Sequence, residues 1–352
     1  MFKIAIIGVG RWGANHARVL NKLSKDYDLD VIVVDKNLER AKSIAEKFGY
    51  SFYEDYMKAW EREKFDASII AVPTYLHYKV VKDLLPLTDV FVEKPFTVNL
   101  NEARELVKIA RKEKRIVQVG HIERFNPVIM ALKEELNKRL EKGERLLNLA
   151  AERIGVKPEK IQTYLGVTHD LLVHDMDVAF YLLGVLPVKV WAQALWGEEK
   201  YEDEVNTIFA FPKDKIGIFV ASRRALMKRR TLRIQLSQSM LLVDYILQTL
   251  TVMEGVHPTR PPLDYLGVLA SYQAVHYYEK RTLRGEENEP LLLEDKHFIE
   301  TVKHGKTPLV NEVDGYISIK CIEAVLKSAR EGVPVELTWE EDFVCEKYPT
   351  CR

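Results

Sequence analysis

Short apolar runs alternate with amphipathic stretches of helix length over the first 120 residues. The apolar runs are KIAII, DVIVVD, DASIIAVP, DVFVEKP and RIVQVG, and stretches such as ANHARVLNKL and LERAKSIAEKFG lie between them. This alternation predicts a parallel sheet joined by right-handed crossovers. Because the strands are apolar on both faces, the sheet is expected to be covered on both sides. Residues 1–120 are therefore predicted to form a doubly wound α/β domain.

A different pattern begins near residue 121, which we take as the domain boundary. Longer strand-like runs follow, with the sequences LLNLAAERI, VKVWAQAL, VNTIFAF, IGIFVAS, TLRIQL and MLLVDYI. They predict that residues 121–352 form an α+β domain on a large, mostly antiparallel open sheet. Several runs are apolar at consecutive positions, so helices on one face would leave apolar surface on the other. Such a surface is usually covered by another subunit, and a homodimer or homotetramer is expected.

The composition is that of a globular protein with no general affinity for nucleic acid. Of 352 residues 47% are hydrophobic, and 52 lysines and arginines balance 52 aspartates and glutamates. The run SRRALMKRR is interpreted as a solvated strand end or turn, with an anion site as the alternative. No apolar run has the length of a membrane span or of a signal-peptide core. A cytoplasmic protein that binds no membrane is expected.

The segment GVGRWG carries a glycine pattern typical of dinucleotide binding. Gly8, Gly10 and Gly13 directly follow the first predicted strand and open the first predicted helix, which is the context that makes a GxGxxG motif specific. In that context Gly8 permits a tight turn, Gly10 lets the backbone approach a pyrophosphate, and Gly13 allows close packing of the helix on the strand. The N–H groups and the positive dipole end of the helix would face the phosphates.

An acidic residue supports the same interpretation. Asp35 ends the second predicted strand, close to where a carboxylate bonds the ribose 2′-hydroxyl of a bound dinucleotide. Its charge would repel a 2′-phosphate, so the sequence predicts NAD rather than NADP as the cofactor. A glycine turn that binds nothing is the alternative, and the flanking strand, helix and carboxylate argue against it.

A lysine stands where another strand of the first domain ends. The run DVFVEKPF finishes in Glu93, Lys94 and Pro95, and ligands of an open α/β sheet lie beyond the carboxyl ends of its strands. Pro95 keeps Lys94 out of the helical region, so the strand stays extended. Lys94 is expected to point toward the nicotinamide, with a surface lysine before a helix as the alternative. The next junction, GHIERFNP at residues 120–127, is interpreted either as part of a ligand cleft or as a hinge.

The stretch THDLLVHDMD, residues 168–177, concentrates histidine and aspartate at the start of a predicted helix that Gly184 ends. Asp170, His174 and Asp177 share one helix face at the spacings i, i+4 and i+7. A carboxylate one turn before an imidazole can orient the ring and raise its basicity. The spacing therefore predicts an acid–base pair as one interpretation of this stretch.

Two other interpretations compete with the acid–base pair. One is a polar helix face on which Asp175 and Asp177 are solvated. The other is a metal site, but His169 and His174 are five residues apart, whereas paired metal-binding histidines on a helix prefer i, i+4. Because no cysteine or further histidine cluster supports a metal, none is expected. A dinucleotide enzyme needs a group that takes a proton as hydride leaves an alcohol, and this need favours Lys94 and His174.

The motifs together resemble the Gfo/Idh/MocA family of oxidoreductases over nearly the whole chain. They are GVGRWG, AVPTYLH, EKP, GHIERFNP, GVTHDLLVHDMD and HFIETVKHGKTPLV, in this order. The resemblance implies a Rossmann domain followed by a large-sheet domain, and NAD-dependent oxidation of a sugar or polyol hydroxyl. It implies that His174 takes the hydroxyl proton, that Asp170 orients His174, and that Lys94 stabilises the developing alkoxide. Whether Lys94 or His174 is the formal base stays open.

The resemblance extends to further residues. Within the family, GHIERFNP and residues 230–248 are most similar to the UDP-N-acetylglucosamine 3-dehydrogenase branch, with a free polyol such as myo-inositol as the alternative substrate. The implied cofactor contacts are Gly8, Gly10, Arg11, Trp12, Gly13, Asp35, Pro73, Thr74, His77, Glu93 and Lys94. The implied substrate contacts are Lys94, Arg124, Asn126, Lys157 near the diphosphate, Asp170 and His174.

Two other function classes are compatible with parts of this pattern. One is a protein that binds NAD and a sugar without turnover, but a pure binder has no need of Lys94 or of the Asp170–His174 pair. The other is a metal-dependent hydrolase built on Asp170 and His174, which would not require the dinucleotide motif. The dehydrogenase is the interpretation that uses all of the motifs.

Overall fold

The structure is a computed structural model that describes residues 1–157, 165–197, 201–255, 264–273, 275–283 and 285–348. These residues form two compact units. The first unit consists of Met1–Phe125, Glu289–Glu323 and Glu341–Lys347, and the second contains the remaining described residues. The sequence-based division places everything after residue 120 in the second domain, so the two divisions differ in where the C-terminal segments belong.

The first unit is built on a six-stranded parallel sheet with helices between the strands. Its strands, in the spatial order β3-β2-β1-β4-β5-β6, are β1 (Phe2–Ile7), β2 (Leu29–Val34), β3 (Ser51–Tyr53), β4 (Ala67–Ile70), β5 (Asp89–Glu93) and β6 (Val117–Gly120). Its first helices are α1 (Arg11–Leu23), α2 (Leu38–Phe48), α3 (Tyr56–Glu63), α4 (His77–Leu84) and α5 (Leu100–Glu113). The predicted doubly wound α/β fold is confirmed.

Local sequence signals set the limits of these helices. The side-chain oxygens of Asn37, Asp55 and Asn99 accept backbone N–H groups at the starts of α2, α3 and α5. Such caps satisfy donors that have no partner within the helix. Gly49 ends α2 in the left-handed conformation, at φ 75°, as glycine does at many helix ends.

The second unit is built on a nine-stranded sheet in the order β14-β13-β12-β11-β7-β10-β9-β8-β15. All neighbours are antiparallel except β7 and β10, which are parallel. This confirms the mostly antiparallel sheet. The strands are β7 (Leu146–Val156), β8 (Lys189–Trp196), β9 (Glu202–Phe211), β10 (Lys215–Ser222), β11 (Arg224–Leu236), β12 (Ser239–Asp244), β13 (Thr249–Gly255), β14 (Val275–Thr282) and β15 (Val335–Glu336).

Helices cover part of this sheet and leave apolar side chains exposed elsewhere. The unit contains α6 (Pro127–Glu141), α7 (Val173–Leu183) and α8 (Tyr265–Gln273). Helix α7 packs on β7 and β10, and α6 packs on β12 and β13. In β8 buried and exposed side chains alternate. Trp191 of β8 pairs with Ile208 of β9, which pairs with Ile218 of β10, and the three side chains are each more than 40% exposed.

The chain ends with α9 (Pro290–His304), α10 (Glu312–Glu331) and α11 (Asp342–Lys347). Helix α9 belongs to the first unit, where Leu291, Leu292, Phe298 and Ile299 join the core formed by β1 and α1. The ring of Phe298 meets that of Phe91 edge to face, with 5.7 Å between the centroids. An amphipathic pattern predicts a helix but not the sheet that it packs on, so the sequence alone does not assign α9 to the first unit.

Candidate active site

The glycine loop after β1 has the shape that a pyrophosphate requires. Gly8 has φ 88°, and a Cβ there would lie 2.9 Å from the carbonyl oxygen of Ala71, while a Cβ on Gly13 would lie 1.9 Å from the carbonyl oxygen of Gly8. Packing within the protein therefore explains these two glycines. A Cβ on Gly10 would meet no atom within 4 Å. The space beside Gly10 is open, as expected where a phosphate group approaches the backbone.

Helix α1 begins directly at this open space. Gly10 is its N-cap residue and supplies no side-chain cap, so the first backbone N–H groups of the helix, beginning with Arg11 and Trp12, are available to an anion. The side chains of Arg11 and Trp12 are exposed. The loop and the helix start together fit the diphosphate of NAD.

Asp35 lies beside the same loop, at the end of β2. Its carboxylate accepts the backbone N–H of Val9 at 2.9 Å and that of Asn37 at 2.8 Å, and the Arg40 guanidinium lies 3.4 Å away. The carboxylate is thus fixed next to the glycine turn, where the adenosine ribose of a dinucleotide would lie. This geometry suits a free 2′-hydroxyl and opposes a 2′-phosphate.

The loop after β4 carries Pro73, Thr74 and His77. Pro73 is exposed and Thr74 begins a 3₁₀ turn, so both are accessible to a ligand. His77 is buried, with Nδ1 2.9 Å from the carbonyl oxygen of Pro95 and Nε2 3.0 Å from that of Val72. Burial lowers the pKa of His77, so the ring is neutral at pH 7 and donates one N–H. It is placed to hold two loops together rather than to present its ring to a cofactor.

Glu93 and Lys94 stand at the carboxyl end of β5. Glu93 is buried and Lys94 is half-buried, and the Lys94 backbone N–H donates to Oε2 of Glu93 at 3.1 Å. The Lys94–Pro95 peptide bond is cis. Lys94 therefore lies at the carboxyl ends of the parallel strands, where the glycine loop also lies, as the sequence predicts.

Arg124 and Asn126 occupy buried positions with structural contacts. The Arg124 guanidinium, 2% exposed, bonds Asp314 at 3.0 Å and the carbonyl oxygen of Leu309 at 3.1 Å. Although burial opposes it, Arg124 and Lys347 lower the pKa of Asp314 to about 2.

Asn126 caps α6 by accepting the N–H of Val128 at 3.2 Å. These contacts of Arg124 and Asn126 favour positioning roles, and their contact with a substrate stays a prediction.

In the second unit the stretch THDLLVHDMD begins with a π-helical turn, Thr168–Leu172, that continues into α7. Gly184 ends α7 in the left-handed conformation, as predicted. Asp170 and His174 are both half-buried. Single π-helical turns are common at functional sites. Because this turn contains Asp170 and precedes His174, the two residues are not related by the regular α-helical i, i+4 spacing that the sequence predicts.

The polar-face interpretation of this stretch is wrong for two aspartates. Asp175 is 2% exposed and forms a two-point ion pair with Arg153, at 3.0 Å from Nε and 2.9 Å from Nη2. Asp177 is 1% exposed. The periodicity of the helix could not reveal this, because the partner of Asp175 lies 22 residues away on β7. Asp170 is the least buried of the three aspartates of the stretch, and its two histidines, His169 and His174, are both half-buried.

A cluster of charged residues that sequence analysis missed surrounds Asp170. The Arg223 guanidinium bonds Oδ2 of Asp170 at 2.9 Å and the carbonyl oxygen of Leu165 at 3.2 Å, and the Arg223 side chain is only 6% exposed. The backbone N–H of Arg223 donates to the carbonyl oxygen of Asp203 at 2.8 Å. The sequence predicts that Arg223 is part of a solvated basic run, whereas Arg223 is buried and binds Asp170.

The first residues of β9 complete this cluster. Glu202 accepts the backbone N–H of Thr168 at 3.0 Å, and a Cβ on Gly166 would lie 2.0 Å from its carboxylate. Asp203 pairs with Lys157 at 2.8 Å. The consecutive acids of the segment EDE were the only sequence signal of these contacts. Lys157, a predicted substrate contact, is thus brought to the same end of the sheet as Asp170.

Neither a metal centre nor a membrane-spanning helix is found among the described residues. Within the described ranges, no three His, Cys, Asp or Glu side chains are arranged to hold a metal ion. Among the helices in the described part of the chain, none combines the length and the apolar character that crossing a bilayer demands.

Comparison with family models gives matches to three parts of the chain. The NAD-binding Rossmann fold of the Gfo/Idh/MocA oxidoreductase family matches residues 2–121. The C-terminal domain of Gfo/Idh/MocA proteins matches residues 155–241, and the C-terminal alpha/beta domain of the oxidoreductase family matches residues 271–337. The three matches follow one another along the chain.

Curated relatives point to the same chemistry with different substrates. A scyllo-inositol 2-dehydrogenase (NAD⁺) of Bacillus subtilis is 28% identical over 95% of this chain and 96% of its own. A UDP-N-acetylglucosamine 3-dehydrogenase of Acidithiobacillus ferrooxidans is 27% identical over 71% of this chain and 76% of its own.

Solved structures have the same fold. The UDP-N-acetylglucosamine 3-dehydrogenase of Acidithiobacillus ferrooxidans aligns with a TM-score of 0.79 at 22% identity, covering 94% of this chain and 97% of that one. A levoglucosan dehydrogenase in complex with NADH and levoglucosan aligns with a TM-score of 0.83 at 18% identity, covering 96% of this chain and all of that one.

Proposed function

The chain belongs to the Gfo/Idh/MocA family of oxidoreductases and is an NAD-dependent sugar or polyol dehydrogenase, and on this premise we propose that it oxidises the 3-hydroxyl of a UDP-N-acetylhexosamine such as UDP-N-acetylglucosamine. The glycine loop, the start of α1 and Asp35 would hold NAD, which would supply the hydride acceptor. A carbonyl replaces the alcohol as the carbon loses hydride and the oxygen loses its proton.

Three side chains act on the reacting hydroxyl in this proposal. His174 takes the proton, and Asp170 orients His174. Lys94 donates a hydrogen bond to the same oxygen and stabilises the negative charge that develops there. Arg223 holds Asp170 by the ion pair described above. Lys94 is the alternative base, since an amine and an imidazole can each accept the proton.

Positive charge at one end of the second-unit sheet is the observation that favours a nucleotide sugar. The carboxyl end of β7 is followed by Lys157. Arg224 pairs with Val156 at that end, and Cγ of Lys228 lies 3.5 Å from where a Cβ on Gly155 would stand. Lys157, Arg224 and Lys228 thus gather near the end of β10 where Arg223 binds Asp170, and Lys157 is there paired with Asp203. A diphosphate carries negative charge that these cations would bind, whereas an inositol carries none.

The experiment for this proposal is to follow NADH formation after mixing the protein with NAD and UDP-N-acetylglucosamine. Parallel reactions contain myo-inositol, scyllo-inositol or glucose, and NAD(H) released from the denatured protein reports cofactor retained during purification. Turnover of the nucleotide sugar alone is expected. Turnover of a free polyol alone would overturn the substrate and keep the dehydrogenase chemistry. The 28% identity to an inositol dehydrogenase over almost the full length makes a free polyol the second candidate.

We also propose that the exposed apolar face of the second-unit sheet binds a second copy of this chain. Trp191, Ile208 and Ile218 form a continuous row across β8, β9 and β10. Leu195 and Ile216, also exposed, extend the same strands. A contiguous apolar area of this kind is typical of a subunit interface.

Replacing Ile208 with lysine is expected to convert the oligomer to monomer. An unpaired charge buried in an interface costs roughly 2–5 kcal/mol, and Ile208 lies in the middle of the row. Size-exclusion chromatography with light scattering measures the mass. Leu140→Lys, an exposed leucine on α6, is the control and should leave the mass unchanged. A monomeric wild-type protein would contradict the proposal.

A further inference from the structure

Two buried charged side chains in the first unit, His16 and Asp295, have no role in the chemistry described above. His16 of α1 lies between two carboxylates, with Nδ1 2.8 Å from Asp295 of α9 and Nε2 3.2 Å from Glu93 of β5. His16 and Asp295 are fully buried, and Glu93 is 7% exposed. Three elements that are far apart in sequence therefore meet in one cluster, which we name the His16 cluster (His16, Glu93 and Asp295).

The charges within the His16 cluster compensate one another in part. Burial alone would lower the pKa of His16, but Asp295 and Glu93 outweigh it and raise this pKa to about 10. The imidazole is therefore protonated at pH 7 and donates to both carboxylates. Burial raises the pKa of the Asp295 carboxyl, and the neighbouring His16 imidazolium opposes that rise. With both carboxyls ionised, the cluster carries a single negative charge.

The His16 cluster reaches the active site through Glu93. Oε1 of Glu93 faces His16, and Oε2 accepts the backbone N–H of Lys94 at 3.1 Å. Gly120 of β6 leaves room for this carboxylate, since a Cβ there would lie 3.0 Å from Oε2. The Glu93 side chain is thus held from one side by the imidazolium while it holds the backbone at Lys94 from the other.

We propose that the His16 cluster is a positioning device that fixes Lys94 relative to the glycine loop. Helix α1 carries His16 near its middle and the pyrophosphate-binding turn at its start, so the contacts from α1 through Glu93 set the position of Lys94 against the element that holds the cofactor. This inference rests on the proposed role of Lys94 and is independent of which sugar is oxidised. Glu93 and Asp295 belong to the same unit as His16. The ring of Phe91 meets the His16 ring edge to face, with 5.2 Å between the centroids.

A purely structural role is the competing explanation, because a buried ion cluster also affects folding. The two roles differ in what a charge-matched replacement does. The double variant His16→Gln, Asp295→Asn replaces the imidazolium and one carboxylate with neutral amides, and Glu93 remains. The cluster therefore retains its single negative charge, whereas His16→Gln alone leaves two carboxylates facing each other without a cation.

The decisive experiment measures stability, NAD affinity and turnover in the double variant. We expect a melting temperature close to that of the wild type, a Kd for NAD within about threefold, and a kcat about 10- to 100-fold lower, as small displacements of a reacting group produce. His304→Gln, an exposed histidine in the last turn of α9, is the control and should have wild-type kcat. A stable double variant with wild-type kcat would overturn the proposal.

A second readout separates this inference from the choice of substrate. Reductive ¹³C-methylation makes each lysine visible by NMR, and the Lys94→Arg variant identifies the signal of Lys94. We expect the chemical shift of Lys94 to change in the double variant and to stay unchanged in His304→Gln. An unchanged Lys94 signal would overturn the positioning role, even if no sugar tested is turned over.

Discussion

Replacing Lys94 or His174 with alanine is expected to lower turnover by about a hundred- to ten-thousand-fold and to leave the NAD affinity within a few-fold. In the proposed mechanism Lys94 stabilises charge on the reacting oxygen only as the hydride leaves, and His174 takes the proton only in that step. Groups of this kind lower the barrier without contributing equally to ground-state binding. Steady-state kinetics and a fluorescence titration with NAD measure the two effects.

The control for this prediction is a lysine outside the proposed site. Lys108→Ala removes an exposed lysine from α5 and should leave kcat and NAD affinity unchanged. His174 belongs to the second unit, while the glycine loop and Asp35 belong to the first. Loss of NAD binding in a folded His174→Ala protein would therefore contradict the assignment. A folded Lys94→Ala protein that loses NAD affinity in proportion to kcat would make Lys94 a cofactor ligand only.

The pH dependence of kcat in the two variants distinguishes the candidate bases. The residue that acts as the formal base imposes a limb on the wild-type profile at low pH, because it must be deprotonated to accept the hydroxyl proton. That limb should disappear in the variant that lacks the base and persist in the other variant. The sequence left this assignment open, and the resemblance to a family gave both residues a role at the same oxygen.

Much of the first unit could be predicted from sequence because its signals are local. Apolar runs, helix caps and Gly8, Gly10 and Gly13 each act within a few residues of chain, and together they specify strand, turn and helix. The structure adds β3, a three-residue strand whose side chains are mostly exposed, so it has no apolar pattern to detect. It also places α9 on the first sheet, which a local pattern cannot show.

The surroundings of Asp170 could not be predicted because they depend on contacts between distant residues. Arg223 is 53 positions from Asp170, and Arg223 and Arg224 are equivalent in sequence as members of one basic run. Arg223 follows the last residue of β10 and is buried, while Arg224 begins β11 and is exposed. A shift of one residue at a strand end reverses which side chain faces inward. The burial of one arginine and the exposure of the next follow from register, which composition and periodicity do not encode.

The Arg223→Gln variant should show how much this hidden contact contributes to catalysis. Glutamine removes the charge that holds Asp170, so the carboxylate loses the fixed position from which it orients His174 in the proposed mechanism. A displacement of about 1 Å in a catalytic group lowers the rate by roughly 10- to 100-fold. The loss is expected in kcat for every substrate that the enzyme accepts. NAD affinity should stay within about twofold, because Arg223 belongs to the second unit.

Comparison with two other arginines makes the result specific. Arg145, exposed before the amino end of β7, gives Arg145→Gln as the control, which should have wild-type kinetics. Arg224→Gln removes a charge from the proposed diphosphate site, and it should raise KM for a nucleotide sugar while leaving kcat largely unchanged. If Arg223→Gln is folded and also changes only KM, Arg223 binds the substrate and does not position Asp170. If the kcat of Arg223→Gln is that of the wild type, the ion pair is structural. Asp170 then keeps its function without the charge of Arg223.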